Sequence, residues 1–175
     1  MTCGVASGVV DKYNGDAVMA LFRVPIKRAT DTANAMGSLR GITVALKKMD
    51  SSLSACVGIT TDIVVAGNLD SSNRIDYSVI GDTLNLWARL ESLIRLYNVS
   101  NIVSEESRDD APKFAFREPD IACVAGKSQS VRIFELLGFR CELSSAKISE
   151  VDAFSEVLEE YRLQNWDAAE EPFSW

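Results

Sequence analysis

Two blocks constrain this chain more than any other feature: Asp11 to Phe22 (DKYNGDAVMALF) and Asp76 to Leu93 (DYSVIGDTLNLWARLESL). In the first, Gly8 to Asn14 and Ala17 to Phe22 read as two strands, with Gly15 and Asp16 supplying the tight turn between them. Asp16 is therefore expected at a hairpin tip. In the second, Asp82 is a helix N-cap, and Leu86, Leu90, Leu93, Ile94 and Tyr97 form the apolar stripe of the helix that follows. The helical repeat of about 3.6 residues sets Asn85 and Arg89 one turn apart and about 100° away from that stripe.

Between the blocks, Pro25 precedes a helix whose stripe is Ala35, Leu39, Ile42, Leu46 and Met49. Gly37 and Gly41 weaken it by about 1 kcal/mol each relative to alanine, so packing must supply much of its stability. Cys56 to Thr60 and Ile63 to Ala66 read as two short strands of one sheet, separated by Thr61 and Asp62. Asn101 to Ser104 and Val131 to Leu137 are further strands, with Arg108 to Lys113 as a polar connection. This alternation of strands and helices favours an α/β sheet. Beyond Gly138 the composition turns to Ser, Glu and Ala, and Val151, Phe154, Val157, Leu158 and Tyr161 mark an amphipathic helix.

The 175 residues suffice for a real core, and 47% hydrophobic with 25% charged residues is ordinary globular composition. No apolar run reaches the length of a membrane span and no signal-peptide pattern is present, so a cytoplasmic location is expected. Cys3, Cys56, Cys123 and Cys141 are scattered without CxxC spacing, and histidine is absent. Buried free thiols are expected rather than a zinc site or a disulfide framework. A net charge of -7 argues against nonspecific nucleic-acid binding and offers no long-range attraction to an anionic ligand.

A Gly-Asp turn alone is usually only a turn. In order along the chain, however, KYNGDAVMALF, VAGN near Ala66, DYSVIGDTLNLWARLESL, NIVSE from Asn101 and GKSQSVRIFELLG from Gly126 resemble the catalytic domain of class III adenylate and guanylate cyclases. The resemblance runs from about Gly8 to Gly138. It implies an α/β (α+β) fold: the ferredoxin-like βαββαβ palm of these cyclases, lacking the first strand and two helices. Residues 1–138 would form the catalytic domain, incomplete at its N-terminus. Residues 139–175 would form a C-terminal helical extension, either a lid or the start of a helical repeat, since YRLQNWDAAEEPF is similar to a repeat segment that often trails the family. The missing strand is expected to expose unpaired edges, the mark of a fragment or a mis-started reading of a larger cyclase.

The implied activity is conversion of ATP to cyclic AMP and pyrophosphate, assisted by two Mg²⁺ or Mn²⁺ ions, in intracellular signalling. Asp16 matches one of the family's two metal-binding aspartates; its partner has no counterpart here, and FREPDI at Phe116 does not supply one. Asn85 matches the residue that orients the ribose, and Arg89 the one that stabilises charge on the α-phosphate. Base choice falls on Lys12 and Ser78, a lysine donor to adenine N1 and a hydroxyl acceptor for its 6-amino group. Guanylate cyclases carry glutamate at the position of Lys12. Ala125 replaces a lysine that contacts the triphosphate, while Lys127 is retained, and Trp87 stands where a small residue is usual. The family's sites are shared between two chains, so a homodimer is implied, with membrane attachment only through segments absent from this chain. The alternative reading is a catalytically silent cyclase-homology module that binds nucleotide or a cyclase partner.

Overall fold

The computed structural model describes residues 8–24, 26–71, 74–80, 93–122 and 130–170, with backbone alone for 66–71 and 74–80. Its first element is the expected hairpin, β1 (Val9–Asn14) paired antiparallel with β2 (Ala17–Leu21). Gly15, at the first central position of the two-residue turn, takes φ 63°, the positive value that the hairpin twist requires and that glycine adopts without a Cβ clash. The ladder is irregular at one point. Val10 faces Ala20 and Lys12 faces Met19, which leaves Asp11 as an extra, bulged residue.

Helix α1 (Asp31–Met49) follows, with an acidic residue in its first turn and Lys47 and Lys48 in its last, the arrangement that suits the helix dipole. Its buried residues are Asp31, Thr32, Ala35, Met36 and Leu39. The expected stripe does not continue: Ile42 is 38% exposed and Met49 77%. The fully buried positions of α1 all lie in its first half, and Leu46 of the later stripe is only half-buried.

The main sheet has the order β3-β6-β8-β7. β3 (Val57–Ile59) pairs parallel with β6 (Asn101–Ser104), which pairs antiparallel with β8 (Val131–Phe139), and β7 (Phe114–Ala122) closes the edge. Successive residues of a strand face opposite sides, and both sides here are apolar. Val103, Phe134 and Leu136 join Met36 and Leu39 of α1 in one cluster, while Ile102 and Ile133 join Ile94, Val99 and Ala122 in the other. β6 is consequently buried at all four positions. The Asn101 side chain bonds both main-chain groups of Leu136: its Oδ1 accepts from the amide at 2.7 Å and its Nδ2 donates to the carbonyl at 3.2 Å.

One expected pairing is corrected. The strand beginning near Ile63 does not share a sheet with β3. It is β4 (Val65–Ser71), which forms a separate antiparallel ladder with β5 (Arg74–Ile80). The chain leaves the main sheet at Thr61, whose amide donates to Ser104 Oγ at 3.4 Å and whose hydroxyl meets Ser107 Oγ at 2.8 Å. These bonds tie Thr61 to the start of α2 (Glu105–Asp109), which Ser104 caps. Helix α2 occupies the beginning of what read as a polar connection.

Residues 93–96 are helical, and Ile94 is buried there, as the stripe of the second block requires. The C-terminal part is a 3-10 turn (Arg140–Glu142), helix α3 (Ser145–Arg162), N-capped by Ser144, and short α4 (Trp166–Glu170). No residue of α3 is fully buried; Phe154, Val157, Leu158 and Tyr161 line a 430 Å³ groove with Trp166 and Ala169 of α4. The thiols are also corrected. Cys56, just before β3, and Cys141, in the 3-10 turn, are exposed, because both sit in connections rather than on core faces. Cys3 and Cys123 lie outside the described residues. Among the described residues no helix is long and apolar enough to cross a membrane.

Candidate active site

Of the expected site residues, the structure describes the side chains of Lys12 and Asp16 and the backbone of Ser78. Asn85, Arg89 and Lys127 lie outside the described residues, as do Asp82, Trp87 and Ala125. Ser78 stands on β5, in register with Gly67 of β4.

Asp16 is the second residue of the hairpin turn and is exposed, with no hydrogen-bond or ion-pair partner among the described residues. A two-residue turn on a paired ladder holds such a carboxylate on short, ordered backbone while leaving both oxygens available. Lys12 lies on the strand leading into that turn, its side chain 49% exposed. It shares a ribbon face with Met19, directly across the ladder. The hairpin thus presents a cation and a free carboxylate four residues apart, to either side of the turn's start.

The sequence reading missed Asp11. Its side chain is only 2% exposed, and Oδ2 lies 3.4 Å from Lys12 Nζ. That oxygen accepts no hydrogen bond among the described residues, so Lys12 is the one cation it meets. Adjacent residues on a regular strand point to opposite faces and do not pair; the bulge at Asp11 re-aims its side chain and makes the contact possible. The available signal was a charged residue interrupting the apolar run GVVDKYN.

Two further groups of polar contacts involve β7. Glu118 of β7, 8% exposed, accepts from Arg132 Nε at 3.0 Å and from Arg162 Nη2 of α3 at 2.7 Å. Burial works to raise this carboxyl, but the hydrogen bonds and charges of the two arginines outweigh it and hold the group below the usual carboxylate range. Tyr97 is pushed up to about 12, first by burial and then by its hydrogen bond to the Asp120 carboxylate and that group's negative charge. These contacts join α3 and the segment after residue 96 to β7.

Among the described residues, no group of three or more acidic, cysteine or histidine side chains is arranged to hold a metal. Asp16 is the one carboxylate on the hairpin with both oxygens unengaged. A hard divalent ion is commonly held by one or two carboxylates together with substrate phosphates and water, so Asp16 fits one ion carried by a triphosphate.

No protein-family model matches the chain. Among curated proteins, an adenylate cyclase of Anabaena cylindrica is 30% identical over 146 residues, covering 75% of this chain and 28% of the relative. The terminal-differentiation-specific adenylate cyclase of Dictyostelium discoideum is 27% identical over 145 residues, again 75% of this chain but 7% of the relative. The chain therefore spans a minor part of both. Among solved structures, the adenylyl cyclase CyaB from P. aeruginosa superposes with a TM-score of 0.59 at 25% identity, over 78% of this chain and 75% of that one. The guanylyl cyclase Cya2 superposes with a TM-score of 0.58 at 23% identity, over 78% and 74%.

Proposed function

The chain has the sequence and fold of a class III nucleotidyl cyclase catalytic domain, and on that premise we propose that it is an adenylate cyclase domain converting ATP to cyclic AMP and pyrophosphate in intracellular signalling. The observation that carries this reading is the hairpin, with an exposed lysine on one strand and an unengaged aspartate at the turn. In the reaction the ribose 3′-oxygen forms a bond to the α-phosphorus as its proton is lost. The bond from that phosphorus to the bridging oxygen breaks, and the electron pair leaves with pyrophosphate.

Lys12 and Ser78 are assigned to the purine. Lysine donates only and suits adenine N1, while a serine hydroxyl accepts from the 6-amino group. Asn85 orients the ribose. Arg89 meets the charge that develops at the α-phosphate with a forked, permanently charged donor. Lys127 is assigned to the triphosphate. Asp16 is the residue to hold a Mg²⁺ or Mn²⁺ ion, which when bound neutralises phosphate charge and favours loss of the hydroxyl proton. As the resemblance to these cyclases implies, each site is read as shared between the two chains of a homodimer, Lys12 and Asp16 coming from one and Asn85 and Arg89 from the other. Cytoplasmic placement and a catalytic unit ending near residue 138 belong to the same reading.

The test is cyclic AMP formation from ATP with Mn²⁺, comparing this chain with Arg89→Ala. Loss of a preorganised donor of this kind is expected to lower turnover by on the order of 10²–10³. Equal activity in both chains would remove Arg89 from the mechanism. A second reading, a module that binds nucleotide without turning it over, is favoured by one feature: among the described residues no group of three or more acidic, cysteine or histidine side chains is arranged to hold a metal. Nucleotide binding with no product from the wild-type chain would select it.

A further inference from the structure

We propose that Asp11 is a positioning residue for base recognition: its buried carboxylate fixes the Lys12 ammonium and thereby makes position 12 selective for adenine over guanine. The inference rests on the reading of Lys12 as the residue that meets the purine, and adds a residue to which no role in that reading was given. Three observations carry it. The Asp11 side chain is 2% exposed, so little of its carboxylate meets water. Its Oδ2 has no hydrogen-bond donor among the described residues and lies 3.4 Å from Lys12 Nζ. The β-bulge between Val10 and Lys12 is what turns two neighbouring side chains toward each other.

A carboxylate buried without compensation is strongly unfavourable, so Asp11 holds its single cation in place. An ammonium has three donors. With the Asp11 charge 3.4 Å to one side of Nζ, the ammonium is drawn to one place rather than free to sweep with a long, flexible side chain. The same carboxylate acts against the opposite choice. A glutamate at position 12, suited to accept from guanine, would meet the buried Asp11 charge at close range and be repelled. The bulged aspartate therefore favours a donor and disfavours an acceptor at the position that reads the base.

The experiment is a double-mutant cycle on the full chain, measuring binding of ATP and of GTP by calorimetry with Mn²⁺ present. The four proteins are wild type, Asp11→Asn, Lys12→Met and the double variant. Asp11→Asn is expected to weaken ATP binding about tenfold and GTP binding much less, and to have no further effect once Lys12 is methionine. An unchanged ATP-to-GTP preference in Asp11→Asn, with the preference lost in Lys12→Met, overturns the role of Asp11 and leaves that of Lys12 standing. The same loss from Asp11→Asn in the Lys12→Met background also overturns it, because a merely structural aspartate would act regardless of the lysine. A wild-type chain that binds neither nucleotide, or whose preference survives Lys12→Met, sinks the underlying reading of Lys12 and the inference with it. Thermal melts accompany each protein. If Asp11→Asn does not fold, Asp11→Glu, which keeps the charge but displaces it by one methylene, enters the cycle in its place with the same expectations.

Discussion

Arg23 holds φ at 70° directly after β2, a left-handed backbone that costs a residue bearing a Cβ about 1–2 kcal/mol. Its guanidinium offsets that strain by bonding elements distant in sequence: Nη2 donates to Thr32 Oγ1 at 2.7 Å and pairs with Asp110 beyond α2. The Asp110 pair is partly solvated on both sides and is worth at most about 1 kcal/mol. Two substitutions separate the contributions. Arg23→Ala loses both contacts and keeps the strain, whereas Arg23→Gly loses the same contacts and relieves it. Glycine also gains freedom in the unfolded chain, which returns part of the relief. Arg23→Gly is therefore expected to be the more stable of the two by about 0.5–1 kcal/mol in urea unfolding. Equal midpoints, or alanine the more stable, would show that the backbone at this position carries no strain.

Helix α3 meets the main sheet where Arg162 reaches Glu118 and Arg117 lies over the Phe154 ring at 5.8 Å. The Glu118 carboxyl titrates below its ordinary value of 4.5 when folded. Its contribution is thus present in full above that value and is lost as pH falls through the lower, folded-state value. The stability difference between wild type and Glu118→Gln should be large at pH 7 and shrink in melts below pH 4.5; a difference constant across that range would mean that the arginines are not what the carboxylate is held by. None of this cluster was legible in the sequence, because Glu118, Arg132 and Arg162 are brought together only by the β7–β8 register and the docking of α3. Elements with strong local signals were legible. The β1–β2 hairpin follows from alternation around Gly15, and β6 falls on the four residues expected. β7 was not read as a strand, and Pro119 interrupts its pattern. The sheet accommodates that proline at an edge strand and at a register shift between Arg117 and Asp120, where no ladder bond is demanded of it. The late half of α1 misled for the opposite reason: its periodicity is genuine, but Ile42 and Met49 are left exposed. At the candidate site, the places of Lys12 on β1 and Asp16 in the turn were legible from the hairpin pattern, whereas the burial of Asp11 depends on a bulge that no spacing rule announces.

At the scale of the whole molecule, the proposed site draws Lys12 and Asp16 from the N-terminal hairpin and Asn85 and Arg89 from the second block, on the reading that these come from different chains of a homodimer. A shared site has a consequence that a site within one chain lacks. If Asp16→Ala and Arg89→Ala chains are each inactive, mixing them forms dimers in which one of the two sites receives both intact sets of residues, while the other receives both lesions. With random exchange about half of the dimers are mixed, so about a quarter of wild-type activity should return. Each variant alone stays inactive at any concentration, since every site in its dimers carries the lesion. The net charge of -7 works against association through self-repulsion, so recovery should be greater at moderate salt, where repulsion between exposed charges is screened. The quantity to measure is cyclic AMP formation across mixing ratios, which should peak at equimolar chains. A mixture no more active than its components, under conditions where ultracentrifugation shows dimers, would require all four residues to act within one chain, and the hairpin and the second block would then have to meet in the monomer.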